Sequence, residues 1–175
     1  SAYDDRLSYS KNAGSAIAKA KAINHVSQYT KVSASADENV VVAASPLKAI
    51  DLQNGKWLKI NGFGVSGFRL EANDSSQELI QRINEGFDSS GVKAELSQGG
   101  TLLLHAPDGR NITIEYSDID VHNAIGIIDI YGDPVNLDDT VRPAVYIPDG
   151  DMIGLSFETE GSYTDEGEIE GVTVE

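Results

Sequence analysis

Two stretches of the chain spell the same corner. "KAINHVSQYTKVSASA" (residues 21–36) and "QRINEGFDSSGVKAEL" (81–96) share Ile-Asn and then Val-x-Ala, and Ile83 and Ile23, Asn84 and Asn24, Val92 and Val32 each stand 60 residues apart. Beyond the next turn the offset becomes 61, since Pro107 answers Pro46. One extra turn residue is the only insertion required. A repeat of this kind constrains the fold more than any single motif, because each copy has to bury the same face. Ile is expected to face the core at a helix end, Asn to turn the chain just outside it, and Val-x-Ala to open a half-buried strand.

The surrounding pattern divides the chain into three tracts. Residues 1–46 carry one long helix pattern, with Ile17, Ala20, Ile23 and Val26 on one side and Lys19 and Lys21 outside, then a hairpin pattern in "TKVSASADENVVVAASP". Residues 47–115 repeat this plan with strands in front. "KWLKINGFGVSGFRLEA" alternates around Asn61-Gly62, a dipeptide suited to a tight hairpin turn. Ser75 with Glu78 predicts a capping box, and Leu79, Ile80, Ile83 and Phe87 predict the buried stripe of a second helix that ends near "DSSG". "VKAELSQGGTLLLHAPDGRNITIEY" reads as two or three strands joined at Gly99-Gly100 and Asp108-Gly109. The expected class is therefore α+β: two helix-plus-β-hairpin units packed on antiparallel sheet over residues 1–116, then an acidic β-rich subdomain over 117–175.

That last tract reads as short strands broken by Gly, Pro and Asp, including "HNAIGIIDIYGDP". Arg142 is the last basic residue, so the final 33 positions carry acids only. An acidic run is ordinarily a solvated face. Asp118, Asp120, Asp149 and Asp151 have the oxygens calcium prefers, but no loop has the spacing of a calcium hand.

Charge and composition exclude several functions. A net charge of −15 argues against nucleic acid and anionic membranes, which need Lys and Arg to displace counterions. With no cysteine there are no disulfides, thiol nucleophiles or thiolate metal sites. No apolar run approaches the roughly 20 residues of a membrane span, and "SAYDDRLSYSKNAG" lacks the order of a signal peptide. His25, His105 and His122 form no zinc-binding pair, "GVSGF" is not a nucleophile elbow, and no Gly-rich loop with a following Lys could hold phosphate. No enzyme activity, cofactor or metal is expected. Asn73-Asp74-Ser75 and Asn111-Ile112-Thr113 fit the N-glycosylation acceptor, and Glu71 gives the first its stricter acidic form; the favoured reading of Asn73 and Asp74 is nevertheless the turn into the second helix.

Residues 60–116 resemble the hook IN motif of bacterial flagellins and hook-associated proteins: a strand, "AND", a helix ending in "IN", a Gly-Val-x-Ala corner and two further strands. "GSAIAKAKAINHVSQYTKVSASA" is similar to the upstream copy found in many flagellins, with Lys31 where Gly is usual, so a different turn type is expected at that corner. The two copies span about three-fifths of the chain, residues 10–116. The resemblance implies an outer, surface-exposed domain of a flagellar filament protein, extracellular and structural, inserted between terminal helices that would contact other flagellin subunits. It also implies roles in motility, antigenic variation and host-surface or immune contacts. A domain of a junction or cap protein, or an adhesin-like module for a glycan or protein, are the alternatives.

Overall fold

The computed structural model describes residues 5–10 and 12–127, together with the backbone of 155–159. The rest of the acidic tract, including Asp149, Asp151 and the strands expected there, lies outside the described residues. The architecture is α+β with small antiparallel sheets.

A short 3-10 turn (Asn12–Gly14) leads into helix α1 (Ala16–His25), whose N-cap Ser15 accepts a hydrogen bond from the Ala18 N–H at 3.1 Å. One turn, α2 (Ser27–Thr30), and strand β1 (Val32–Ala36) follow, so the single long helix expected here is broken at Val26. Val26 is 41% exposed, outside the buried stripe in which the pattern placed it; Ile17 and Ala20 are buried and Ile23 half-buried.

Strand β2 (Asn39–Pro46) does not fold back on β1 as the hairpin pattern suggested. The chain continues through β3 (Ile50–Asp51), β4 (Leu58–Ile60), β5 (Phe63–Val65) and β6 (Arg69–Leu70) to helix α3 (Glu78–Glu85) and the single turn α4 (Phe87–Ser90). Strands β7 (Lys93–Leu96), β8 (Thr101–Ala106) and β9 (Ile114–Tyr116), helix α5 (Ile119–Ile125) and strand β10 (Leu155–Thr159) complete the order. β2 pairs with β8, giving the sheet β2-β8-β7, while β1 pairs with β10, far along the chain. The preference has a physical cause. β8 buries Leu102, Leu104 and Ala106 at alternate positions, matching Val41 and Ala43 of β2, whereas the Ser-Ala-Ser run of β1 offers little apolar surface to the same partner.

Other turns behave as their sequences suggest. Asn61 and Gly62 both take positive φ, 48° and 80°, which closes the β4–β5 hairpin. The Gly99-Gly100 turn joins β7 to β8, and the chain after Asp108-Gly109 carries β9 to β4 in the sheet β5-β4-β9. Leu52, Leu58, Ile60, Leu70, Leu79, Ile83, Leu102, Leu104, Ile112 and Ile114 form the centre of one core.

Two further expectations fail on local chemistry. The cap of α3 is Asp74 and not a Ser75–Glu78 box: the Asp74 carboxylate accepts from the N–H groups of Leu79 at 3.1 Å and Ile80 at 3.0 Å, while Glu78 pairs with Arg82 at 2.7 Å. A carboxylate at a helix start satisfies two free N–H groups and meets the positive end of the helix dipole, which a serine hydroxyl does less well. The stretch beginning "HNAIG", expected as strand, is the second half of α5 up to Gly126. Asp118 caps that helix through the N–H groups of Asp120 and Val121, Gly126 ends it in the left-handed region, and Val121 and Ile125 join the same core as the strands before them.

Candidate functional site

The residues singled out by the repeat come together as two matching corners. At the first, the Asn24 side-chain amide donates to the Ala34 carbonyl at 2.7 Å while its Oδ1 accepts from the Ala34 N–H at 2.8 Å. At the second, Asn84 holds Ala94 in the same way, at 3.0 and 2.8 Å. Each asparagine stands in for a neighbouring strand, satisfying both backbone groups on the open side of β1 or β7. The chain between follows the same bonds: Val26 and Gly86 donate to Ile23 and Ile83, Thr30 and Ser90 to Val26 and Gly86, and Lys31 and Gly91 to Ser27 and Phe87. Even the side-chain bond into the strand recurs, from the Val32 N–H to Thr30 Oγ1 and from the Val92 N–H to Ser90 Oγ.

Lys31 corrects an expectation. Its φ and ψ are 59° and 20°, against 68° and 16° at Gly91, so the two corners have one turn type. The bonds on either side require the left-handed conformation whichever residue supplies it.

A third asparagine does similar work that the sequence pattern did not signal. Asn61, read only as a turn residue, is buried; it donates to the carbonyls of Ser90 and Asn111 and accepts from the Thr113 N–H. It thereby ties the β4–β5 turn to the end of the second corner.

The glycosylation triplets part company in space. Asn111 is buried, its side-chain amide donating to the Ser10 carbonyl at 3.1 Å and its backbone N–H to Ser8 Oγ at 2.8 Å; Thr113 is buried and its hydroxyl lies 2.7 Å from Ser10 Oγ. Residues 5–10 thus lie laced over this triplet. Asp5 anchors them: burial works against its ionisation, but hydrogen bonds from Ser8, the Leu7 N–H and Ser15 prevail and hold its carboxyl below the usual range. Asn73 and Ser75, by contrast, are exposed.

A groove of about 450 Å³ runs beside the second corner, lined among others by Glu38, Asn84, Phe87, Lys93, Glu95 and His105. His105 Nδ1 is 3.1 Å from Glu38 and Nε2 is 3.2 Å from Glu95. Both ring nitrogens of His105 thus face a carboxylate. Lys93 lies 4.8 Å over the Phe87 ring, adding an aromatic face with a cation on it. The groove can hold a polar ligand by charge-assisted hydrogen bonds and stacking. The period-2 pattern of β8 does turn His105 outward, but nothing in the sequence indicates that Glu38 and Glu95 flank it.

Asp118, Asp120 and His122 are occupied or enclosed. Asp118 caps α5, and Asp120 bonds Lys56 at 2.8 Å, which raises the Lys56 pKa; neither carboxylate is arranged for calcium. His122 is buried edge-on to Tyr116, with ring centroids 5.2 Å apart, and among the described residues neither its nitrogens nor the Tyr116 hydroxyl has a hydrogen-bond partner. Burial pushes the Tyr116 pKa far up, so its hydroxyl stays protonated. Among the described residues no three His, Asp or Glu side chains are grouped to hold a metal ion, and no helix is long and apolar enough to cross a membrane. No family model matches the chain.

Proposed function

We propose that this chain is the outer, surface-exposed domain of a bacterial flagellar filament subunit, a structural domain without catalysis, and that its two corners are hook IN motifs. The observation that supports this reading is the bond-for-bond repetition of the helix, corner and strand, with Asn24 on Ala34 and Asn84 on Ala94, in the order in which flagellins carry their tandem copies. Its task is to decorate the filament and set its surface charge and antigenic face. Immunogold labelling with antibodies to the purified chain tests this on the cells that produce it. Label along the whole filament is expected; label confined to the junction or tip moves the chain to a hook-associated protein, and label absent from flagella overturns the reading.

With a net charge of −15, neighbouring copies repel one another at low salt. Self-association of the purified chain should strengthen as salt rises, and sedimentation velocity showing larger species at low salt would contradict this.

The groove around His105 favours a second reading, an adhesin-like module for a glycan or peptide. Glycan- and peptide-array screening of the chain, compared with His105→Ala, distinguishes the two. Saturable binding lost in the variant supports the module, and binding indifferent to His105 removes the groove from consideration.

A further inference from the structure

The two triplets both fit the acceptor pattern but are opposite in accessibility, and the geometry points to Asn73 as an N-glycosylation site and excludes Asn111 in the folded chain. An acceptor amide has to be free to react and open to a bulky donor. Asn111 is neither: its Nδ2 is engaged by Ser10, and Thr113, which supplies the hydroxyl of the triplet, is 1% exposed.

Asn73 meets both requirements. From Glu71 to Gln77 every residue but Asp74 is at the surface or largely so, and among the described residues neither the Asn73 amide nor the Ser75 hydroxyl makes a hydrogen bond. The turn does not consume the asparagine side chain. Asp74 performs the capping, through Leu79 and Ile80, and Asn73 contributes to the turn only its left-handed backbone, at φ 55°. Glycine would supply that conformation as readily, so the conformation leaves the identity of the side chain unexplained. On one side the Asn73 side chain rests on the β7–β8 turn, where a Cβ at Gly100 would come within 2.6 Å of its Oδ1; the residue is otherwise exposed.

The donor is a glycosyl diphosphate, carried on either a nucleotide or a polyprenyl lipid. Asn73 Nδ2 attacks the anomeric carbon, the bond from that carbon to the diphosphate oxygen breaks with its electron pair leaving on the diphosphate, and Nδ2 gives up one proton to a base. The product is a sugar on Asn73, standing over the start of α3 and the Gly99-Gly100 turn.

Peptide mapping by mass spectrometry of the full chain, isolated from the cells that produce it, tests the site. A sugar increment on the peptide carrying Asn73, and none on that carrying Asn111, is expected. A single-sugar increment identifies the nucleotide-linked donor and an oligosaccharide the lipid-linked one. An unmodified Asn73, or sugar on Asn111, overturns the proposal. Ser75→Ala, an exposed substitution that leaves the Asp74 cap intact, should abolish the increment with an unchanged circular dichroism spectrum, and Ser75→Thr should restore it. Retention of the sugar in Ser75→Ala would equally refute the assignment.

Discussion

The first and second corners make the same hydrogen bonds in different surroundings. Ile83 and Val92 are 1% and 0% exposed, while Ile23 and Val32, their counterparts, are only half-buried. Upstream the contrast is sharper, because Lys19 stands where the second copy has the fully buried Leu79. The strands also find different partners: β7 pairs with β8 across a short turn, β1 with β10 more than a hundred residues on. The corner is therefore a local device. Its asparagine bracket and left-handed residue define the backbone path, and burial is an addition that the second copy receives in full and the first in part.

Core truncation should separate the copies most. Removing a fully buried isoleucine side chain costs roughly 2–5 kcal/mol, the cavity adding to the lost transfer energy. Ile83→Ala is expected near the upper part of that range, about 3–4 kcal/mol, and Ile23→Ala at about 1 kcal/mol, since solvent already reaches its site. Urea unfolding followed by circular dichroism reads both as shifts in midpoint. Equal shifts would mean that the first copy is as well packed as the second.

The brackets should differ less. Asn84→Ala removes two hydrogen bonds and leaves the N–H and carbonyl of Ala94 without their partner, a loss of about 1–2 kcal/mol, since the asparagine is itself exposed and water replaces part of what it gave. Asn24→Ala loses the same bonds beside a more open corner, and about 1 kcal/mol is expected there. Amide hydrogen exchange supplies the check: the Ala94 and Ala34 N–H groups should each lose protection in the matching variant only. If both amides stay protected, the brackets are incidental to the corners.

What the sequence made legible was whatever depends on neighbours along the chain. Ile-Asn, Val-x-Ala and Asn61-Gly62 encode bonds closed within a few residues or one turn, and the repeat reveals the corners because the same bonds need the same residues twice. Strand partners were not legible in this way. β1 and β2 are adjacent in sequence and alternate suitably, yet β2 goes to β8 because that strand complements its apolar face. Ser75 with Glu78 satisfied the capping pattern, but the chain placed the stronger acceptor, Asp74, at the helix start by putting Asn73, Asp74 and Gln77 at positive φ. The site lay between these extremes. Asn24 and Asn84 could be located but not their bracket of Ala34 and Ala94, and the opposite exposure of Asn73 and Asn111 depended on residues 5–10, which lie a hundred positions away in sequence.

The smallest expected difference concerns the left-handed residue itself. Lys31 holds at φ 59° a conformation that costs an L-residue with a Cβ on the order of 1 kcal/mol, and glycine removes that strain while adding unfolded-state entropy of similar size. Lys31→Gly should therefore stabilise by about 0.5 kcal/mol at most. The reverse exchange is not its mirror image. A Cβ at Gly91 would collide with the Arg110 guanidinium, which donates to the Ser90 carbonyl and pairs with Asp108, so Gly91→Ala meets both an unfavourable φ and a crowded neighbour. About 1–2 kcal/mol of destabilisation is expected. Thermal unfolding of the two variants side by side decides the matter: a rise for Lys31→Gly with a fall for Gly91→Ala means that one backbone conformation serves both corners and that the second lacks room for a side chain. A fall for Lys31→Gly would show instead that the lysine side chain contributes more to the first corner than its strained backbone costs.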